Sequence, residues 1–306
     1  MPPTAADVSR PDTPPVRSPE LVVVGAASRD RVADDPRGWR LGGTATYASL
    51  AAAALGVRVG CLLGVDADAA DARELRVLEE AGVELRRVPL SRGPIFENIE
   101  HDGHRRQRWM STSGLVPVEA LPPEWGGARA WLLGPVAGEI GSDWAGAPAP
   151  DSLVCVGWQG LLRRFDSDGW VVKVPPASSP LLERADIACA SFDDLPAGYE
   201  IADLRGLAPR ASLVLTAGAE GGISLREGHA YRYRAFPADV VDATGAGDVF
   251  MAGMIAAYVL TLELLTPKAL ALASAAGACA VEGLGLAGVP TATKVRARLR
   301  GGPVPR

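Results

Sequence analysis

The sequence has few cysteines, and their spacing fits neither a disulfide framework nor a metal site. Cys61, Cys155, Cys189 and Cys279 lie far apart in apolar stretches and form no Cys-x-x-Cys pair. This distribution favours buried free thiols over disulfides or a zinc site, and it indicates a reducing compartment.

Concentrated positive charge and long apolar runs are also missing. The formal net charge is −5, and the Lys and Arg residues are dispersed, so the chain offers no basic field for nucleic acid. No apolar stretch reaches the ~20 residues that cross a bilayer. Residues 1–18 are rich in proline and lack the apolar core of a signal peptide, so we expect a disordered tail on a cytoplasmic protein.

Two nucleotide-binding motifs are absent as well. The chain has no Gly-x-x-x-x-Gly-Lys-Ser/Thr, which removes the P-loop route to ATP. Residues 283–288 read Gly-Leu-Gly-Leu-Ala-Gly, which fits Gly-x-Gly-x-x-Gly by letter. They follow a helical pattern and run into Val289-Pro290 instead of joining a strand to a helix, so we do not expect a dinucleotide site there.

The chain does show apolar strand-like runs that alternate with helical patterns. The strand-like runs are residues 21–24, 57–63, 130–133, 153–156, 187–190 and 213–216, and the helical patterns are 44–55, 69–81 and 267–281. Strands that are continuously apolar are typical of a sheet covered on both faces. The sequence therefore predicts one main domain over residues 19–300, an α/β fold with a three-layer, mainly parallel, Rossmann-like sheet that binds ligands beyond the carboxyl ends of its strands.

Two segments interrupt that alternation and predict a small separate sheet. They are residues 31–41 and residues 92–112, and the second contains Asp102-Gly103 between two strand-like runs. Asp-Gly in that position is a good hairpin signal. These strands either form a lid over a ligand pocket or are an edge hairpin without a functional role.

The most informative motif is Asp-Ala-Thr-Gly-Ala-Gly-Asp-Val-Phe at residues 242–250, directly before a helix-forming run. Gly245 and Gly247 permit positive φ or close approach of a ligand, and the free N–H groups of a helix start bind phosphate. Asp248 beside such a site suits acceptance of the proton from a hydroxyl that attacks the phosphate. The alternative is an ordinary helix start with a glycine turn and an Asp.

At this motif the sequence resembles the ribokinase-like sugar and nucleoside kinases, the PfkB carbohydrate kinase family. The resemblance extends over about residues 20–300 and includes Gly42-Gly43, Leu63-Gly64-Val65-Asp66 and the segment 216–221, all in the family's order. It implies a ribokinase-like fold whose small sheet is a lid over the sugar pocket, and ATP and Mg²⁺ as cofactors. The residues that it implies are Asp248 as the base, Gly245, Ala246 and Gly247 at the phosphate, Thr216, Gly218 and Gly221 at the nucleotide, and Asp30, Gly42, Gly43 and Thr44 at the acceptor.

The sequence departs from the family pattern at two of these places. Thr44 stands where most members have Asn or Lys, and Ser191-Phe192-Asp193-Asp194 replaces the usual Asn-x-x-Glu. Asp194 is then the candidate to hold a water of hydrated Mg²⁺. Asp242 and Thr244 match positions near a monovalent-cation site, which implies K⁺.

Further acceptor candidates follow other strands. Gln159-Gly160, with Arg163 and Arg164 downstream, resembles a family subgroup that includes plant myo-inositol kinases. The sequence leaves two interpretations of Glu139 open, a residue that lines the pocket or a residue exposed to solvent.

The function predicted is ATP-dependent phosphorylation of a hydroxyl on a small sugar or cyclitol, in the manner of a myo-inositol kinase. The alternatives are a nucleoside kinase and a non-catalytic ligand-binding protein on the same fold. A homodimer formed through the lid is a further expectation.

Overall fold

A computed structural model describes residues 18–101, 104–199 and 201–303. The tail predicted over residues 1–18 therefore lies outside the described residues except for its last position, and so does the Asp102-Gly103 turn. Within the described ranges, no helix is both long and apolar enough to cross a membrane.

The strands are β1 (Leu21–Ala26), β2 (Ser28–Arg31), β3 (Trp39–Gly42), β4 (Val59–Val65), β5 (Glu84–Pro89), β6 (Ile95–His101), β7 (His104–Ser111), β8 (Ala130–Leu133), β9 (Leu153–Gly157), β10 (Arg163–Phe165), β11 (Val171–Lys173), β12 (Ile187–Ser191), β13 (Ser212–Thr216), β14 (Gly222–Arg226) and β15 (His229–Tyr233). The α-helices are α1 (Thr44–Ala54), α2 (Arg73–Glu80), α3 (Pro180–Arg184), α4 (Ile201–Arg205), α5 (Ala246–Thr261), α6 (Pro267–Ala280) and α7 (Ala292–Gly301).

The main sheet has nine strands in the order β15-β14-β13-β12-β9-β8-β1-β4-β5. The strands from β13 to β5 run parallel, and β14 and β15 form an antiparallel edge. The three-layer, mainly parallel α/β fold is confirmed. All six predicted strands are present, whereas β5 and the antiparallel edge were not foreseen. β5 is polar on its exposed side, and β15 is exposed at four of its five positions, so neither is a continuous apolar run.

The two faces of the sheet are covered differently. One face packs on the apolar helices α1, α5 and α6. The other packs on short helices and turns that bury four tryptophans, Trp125, Trp131, Trp144 and Trp158. Burial on both faces explains why strands such as β1 and β4 are apolar at every position.

The order in which the chain adds strands to the sheet reverses at β1, and the ligand site of such a fold is expected at that point. From β1 the chain adds β4 and β5 on one side and β8 and β9 on the other. Ligands bind at such a switch point, outside the carboxyl ends of the strands. Here those ends are Ala26 of β1 and Leu133 of β8.

The small separate sheet is also confirmed, in the order β3-β2-β6-β7, and we call it the lid. Its first strand begins at Ser28 and not at residue 31, so Asp30 lies within a lid strand and not in a loop. The carboxylate of Asp66, at the end of β4, fixes this sheet by accepting hydrogen bonds from Arg29 (2.6 Å) and from the Gly93 N–H (3.1 Å).

A second hairpin, β10 and β11, was not foreseen and lies against the lid. The Trp109 N–H of β7 donates to the Gly169 carbonyl of the hairpin at 2.7 Å, and Arg108 pairs with Trp170. Strands of three residues leave almost no periodicity in a sequence, which is why the pattern failed to show them.

Helix boundaries agree with the sequence except at one place. Thr266 caps α6 as expected, with its hydroxyl accepting from the Ala269 N–H at 3.1 Å. The helix predicted over residues 69–81 begins only at Arg73. The Asp66 carboxylate accepts from the Ala69 N–H at 3.0 Å and holds residues 67–70 as a turn. The four cysteines are free and buried, as predicted.

Candidate active site

The glycine turn opens α5 at the edge where the site is expected. Gly245 has φ 80 and is the residue before the first helical position. A side chain on Gly245 would overlap the ring of the buried Tyr47, whereas one on Gly247 would meet only open space. Gly245 therefore serves the backbone turn, and Gly247 leaves room for a ligand at the start of the helix, where the Ala246 N–H donates to the Ala243 carbonyl at 3.3 Å.

Asp248 lies in the first turn of this helix and is partly buried. Burial raises the pKa of its carboxyl to about 6, while the Thr44 hydroxyl, which donates to the carboxylate, and the Arg163 charge oppose that rise. The carboxylates of Asp194 and Asp30 add to it. A carboxyl group with a pKa near neutrality is suited to take a proton from an alcohol.

Arg163 is the cation at the centre of this acidic site. Burial lowers the pKa of its guanidinium, and Asp194, Glu139, Asp248 and Asp30 counter that loss. One guanidinium nitrogen donates to the Val136 carbonyl at 2.9 Å.

The predicted acceptor residues Asp30, Gly42, Gly43 and Thr44 come together at this edge. The Ser28 hydroxyl donates to Asp30 at 2.8 Å. A side chain on Gly42 would overlap the other oxygen of Asp30, and Gly43 has φ 98 and lies against the Ala26 carbonyl. Both glycines are thus required by packing at the switch point, whatever their part in binding.

Glu139 is neither a solvated residue nor a side chain that lines an open pocket. It is fully buried, and its carboxylate accepts the Val136 N–H at 2.9 Å, the Ala137 N–H at 2.7 Å and the Ala26 N–H at 3.3 Å. Burial raises its pKa and these N–H groups oppose the rise. Glu139 therefore connects the loop after β8 to the end of β1 and stabilises the backbone at the switch point.

The Asp194 carboxylate caps the turn after β12 and binds the Gln159 side chain. One oxygen accepts from the Ser191 N–H at 3.0 Å and the other from the Gln159 amide at 3.1 Å. Ser191, in place of the family's usual Asn, completes a capping box with Asp194. Each oxygen keeps a free lone pair, and such hard oxygens suit the water shell of Mg²⁺. Gln159 is exposed and contacts Asp194, so its predicted contact with an acceptor stays a prediction.

The segment 216–221 turns sharply after β13, as expected for a nucleotide loop. Gly218 has φ 51 with open space beside it, and Gly221 has φ 89. The Ser191 hydroxyl donates to the Thr216 carbonyl at 3.4 Å, which links this turn to that of Asp194.

The Asp242 carboxylate accepts from the Thr244 N–H at 2.9 Å and from the Gly285 N–H at 3.1 Å. The segment Gly285–Gly288 is a 3-10 helix that follows α6 and joins no strand to a helix, in agreement with our rejection of a dinucleotide motif. It instead supports the glycine turn from outside, a role that the sequence did not suggest. The proposed monovalent-cation role of Asp242 and Thr244 stays a prediction.

Comparison with known proteins shows which proteins this chain resembles. Residues 174–292 match the model of the pfkB family carbohydrate kinases. A pyrophosphate-dependent kinase of the ribokinase family, solved with a pyrophosphate analog and myo-inositol, shares the fold with a TM-score of 0.73 at 18% identity, over 90% of this chain and 99% of that one. Over residues 174–292 the chain is similar to the PfkB carbohydrate kinases, and its fold is that of the ribokinase-family structures.

Two further comparisons show the same likeness. A fructokinase with bound ATP from Xylella fastidiosa has a TM-score of 0.71 at 19% identity, over 92% of this chain and 98% of that one. The inositol 3-kinase of Zea mays is 35% identical over 142 residues. That alignment covers 45% of this chain and only 35% of the Zea mays protein, so the chain matches little more than a third of that relative.

Arg163 is a residue of this candidate site to which the sequence analysis gave no role. It was visible only as one of two arginines after Gln159. The two arginines lie on opposite faces of β10. The Arg163 side chain faces the acidic groups of the site, whereas Arg164 is exposed. Alternation would have shown this if the three-residue strand had been recognised.

Proposed function

We propose that this chain transfers a phosphoryl group from ATP to a hydroxyl of a small polyol, with Asp248 as the general base. The observation that carries the proposal is the position of the Asp248 carboxyl, whose pKa is raised to about 6, in the first turn of a helix where a side chain on the neighbouring Gly247 would meet only open space. A base and an anion site lie side by side, as in-line phosphoryl transfer to an alcohol requires.

The glycine turn stabilises the phosphoryl group that is being transferred. The first N–H groups of α5, with the helix dipole, act on its oxygens, and the absence of a side chain on Gly247 lets the phosphate approach. Arg163 adds a guanidinium that balances the negative charge of the acceptor carboxylates and of the incoming donor. Mg²⁺ on the donor phosphates would be held through water by Asp194, where it would offset phosphate charge.

The acceptor lies between the lid and the turn. Asp30 on β2 has the chemistry to accept two hydroxyl hydrogens of a vicinal diol, which orients a third hydroxyl towards Asp248. We favour a cyclitol or sugar because the family model describes carbohydrate kinases and because the Zea mays relative is an inositol 3-kinase. The kinase solved with myo-inositol supports the same substrate class.

A matrix of donors and acceptors tests this function. Purified protein would be incubated with Mg²⁺ and either ATP or pyrophosphate, each with myo-inositol, hexoses, pentoses or nucleosides, and the products read by ³¹P NMR. We expect a phosphomonoester of a cyclitol or sugar with ATP. Pyrophosphate is included because the kinase solved with myo-inositol uses it.

Each other result has a defined meaning. A nucleoside monophosphate as the main product would show that the acceptor is a nucleoside and not a polyol. Tight binding of a polyol without any phosphoester, in wild type and in Asp248→Asn alike, would favour the non-catalytic ligand-binding protein and overturn the proposal.

A further inference from the structure

One amide of the lid holds the guanidinium of Arg163. The Gln107 side-chain oxygen on β7 accepts from an Arg163 guanidinium nitrogen at 3.0 Å, and the Gln107 amide nitrogen donates to the Asn98 side-chain oxygen at 3.0 Å. Asn98 and Gln107 are direct partners in the pairing of β6 with β7. The lid therefore reaches the centre of the site through a chain of three side chains.

The direction of the Gln107 amide follows from chemistry. Guanidinium groups only donate hydrogen bonds, so the group that faces Arg163 must be the oxygen of Gln107. The nitrogen then points to Asn98, whose oxygen accepts. Asn98 fixes Gln107 in the single orientation that can hold Arg163.

Few other contacts fix the guanidinium. The Val136 carbonyl binds the second terminal nitrogen at 2.9 Å, and the Phe96 ring lies below the plane at 5.0 Å. The buried Nε of Arg163 has no hydrogen-bond partner within the described part of the chain. Removal of Gln107 would leave a single hydrogen bond to hold a side chain with four rotatable bonds.

We propose that Gln107 is a positioning residue for the phosphoryl transfer, and that its hydrogen bond to Arg163 keeps the charge of that guanidinium beside Asp248. This inference rests on the proposed function. Because Gln107 belongs to the lid and Arg163 to the β10 hairpin, the cation is correctly placed only while those two elements remain packed. The packing includes the edge-on contact of Trp109 with Phe165, at 4.5 Å between ring centroids, in addition to the backbone bond from Trp109 to Gly169.

Asp248 is the group that should register any movement of Arg163. The groups that act on its carboxyl are Arg163 from β10, Thr44 from α1, Asp194 from the turn after β12 and Asp30 from β2. Tyr47 of α1 is buried nearby and stays neutral, since burial and the surrounding carboxylates raise its pKa. Arg163 is the one cation among these, so its withdrawal raises the pKa of Asp248.

The test compares Gln107→Leu with Gln107→Glu. Leu is similar in size and removes the acceptor, whereas Glu keeps an oxygen for Arg163. A matched control is Arg106→Gln, which changes the next residue of β7, where the exposed side chain stacks on Trp170 at 4.0 Å. The readouts are kcat and KM for the polyol and the pKa of Asp248, followed by NMR of ¹³C-carboxyl-labelled aspartate.

For Gln107→Leu we expect kcat to fall about tenfold or more, as for loss of a hydrogen bond to a charged group, and the pKa of Asp248 to rise. Gln107→Glu still accepts from Arg163 and should keep most of the wild-type kcat, although its added negative charge also raises the pKa of Asp248. Arg106→Gln should change neither kcat nor that pKa. In an Arg163→Ala background, Gln107→Leu should have no further effect on the pKa of Asp248.

The proposal is overturned if Gln107→Leu folds normally and leaves both kcat and the pKa of Asp248 at their wild-type values. It is also overturned if the change in pKa persists undiminished in the Arg163→Ala background. The NMR titration needs no turnover, so it distinguishes failure of this inference from failure of the proposed function. If Gln107→Leu does not fold, Asn98→Ala provides the same test, because it frees the Gln107 amide to rotate.

Discussion

The site has two walls, and they differ in what forms them, since one is mainly backbone and the other is mainly side chains. The wall formed by the glycine turn is made of backbone, with Gly245 at φ 80 packed against the ring of Tyr47 and the start of α5 above it. The opposite wall is made of side chains from the lid and the β10 hairpin. There the Ser28 hydroxyl donates to Asp30 at 2.8 Å, and Arg163 donates to the Gln107 side chain at 3.0 Å and to the Val136 carbonyl at 2.9 Å.

This difference determines how each wall responds to change. A backbone segment with positive φ that is closely packed tolerates almost no added atoms. We therefore expect a substitution in the turn either to disrupt its conformation entirely or to leave it unchanged. A side-chain wall loses one hydrogen bond at a time, with graded costs. We infer that the turn is required for the reaction as a whole, and that changes in the lid wall weaken acceptor binding or turnover by degrees without abolishing them.

The largest expected effect is on the base. Asp248→Asn should lower kcat by about 10² to 10⁴, the range for a positioned general base, with ATP affinity nearly unchanged by calorimetry. The folded state raises the pKa of Asp248, so above that pKa the buried charge lowers stability. The neutral variant should therefore unfold at the same temperature as wild type or higher at pH 8. Near-normal turnover in Asp248→Asn would exclude it as the base.

Within the turn, Gly245 and Gly247 form a matched pair that tests the idea of a backbone wall. Gly245→Ala forces a side chain into the Tyr47 ring at positive φ, so we expect a loss of roughly 1 to 3 kcal/mol or more in the free energy of unfolding. Gly247→Val meets open space in the protein and should fold, yet occupy the place of the phosphate.

Donor affinity and turnover should then fall together in Gly247→Val, measured by calorimetry and initial rates. Urea unfolding of the two variants provides the comparison. Unchanged donor affinity in Gly247→Val would mean that the phosphate binds elsewhere.

The lid wall should show a smaller and selective effect. Asp30→Ala should reduce kcat/KM for the polyol by roughly ten- to a hundred-fold, because unpaired polar groups cost about 1 to 3 kcal/mol. ATP affinity should change little. Ser28→Ala, which removes only the hydroxyl that donates to Asp30, is the milder control. Unaltered kinetics in Asp30→Ala with the true acceptor would contradict the acceptor pose.

The same contrast explains how far the sequence could be interpreted. The turn is nine contiguous residues, and the strands of the main sheet are continuous apolar runs, so both leave a local pattern. Arg163 and Gln107 are 56 residues apart and meet only because the hairpin packs on β7. No local periodicity records such a contact.

Glu139 shows the limit most clearly. Its sequence context allowed either a pocket residue or a solvated one. Its actual place depends on the Ala26 N–H, 113 positions away, and on complete burial under the switch point. The burial of a charged side chain is decided by the tertiary fold, which a single sequence pattern does not contain.

The smallest expected effect lies where the two walls meet, at Thr44. Its hydroxyl donates to Asp248 and lowers the pKa of that carboxyl, which stands at about 6. The base must be ionised, so kcat/KM should rise with pH through about that value and level off above it. Thr44→Val keeps the shape, removes the donor and should move this limb to higher pH by a few tenths of a unit to about one unit, since a hydrogen bond of about 1 kcal/mol equals most of a pKa unit. Thr44→Ser keeps the donor and should leave the limb in place, and at pH 8.5, where the carboxyl is ionised in every variant, rates should converge. A limb that stays fixed in Thr44→Val would show that the hydroxyl does not act on the base, and that Thr44 belongs to the packing of α1 alone.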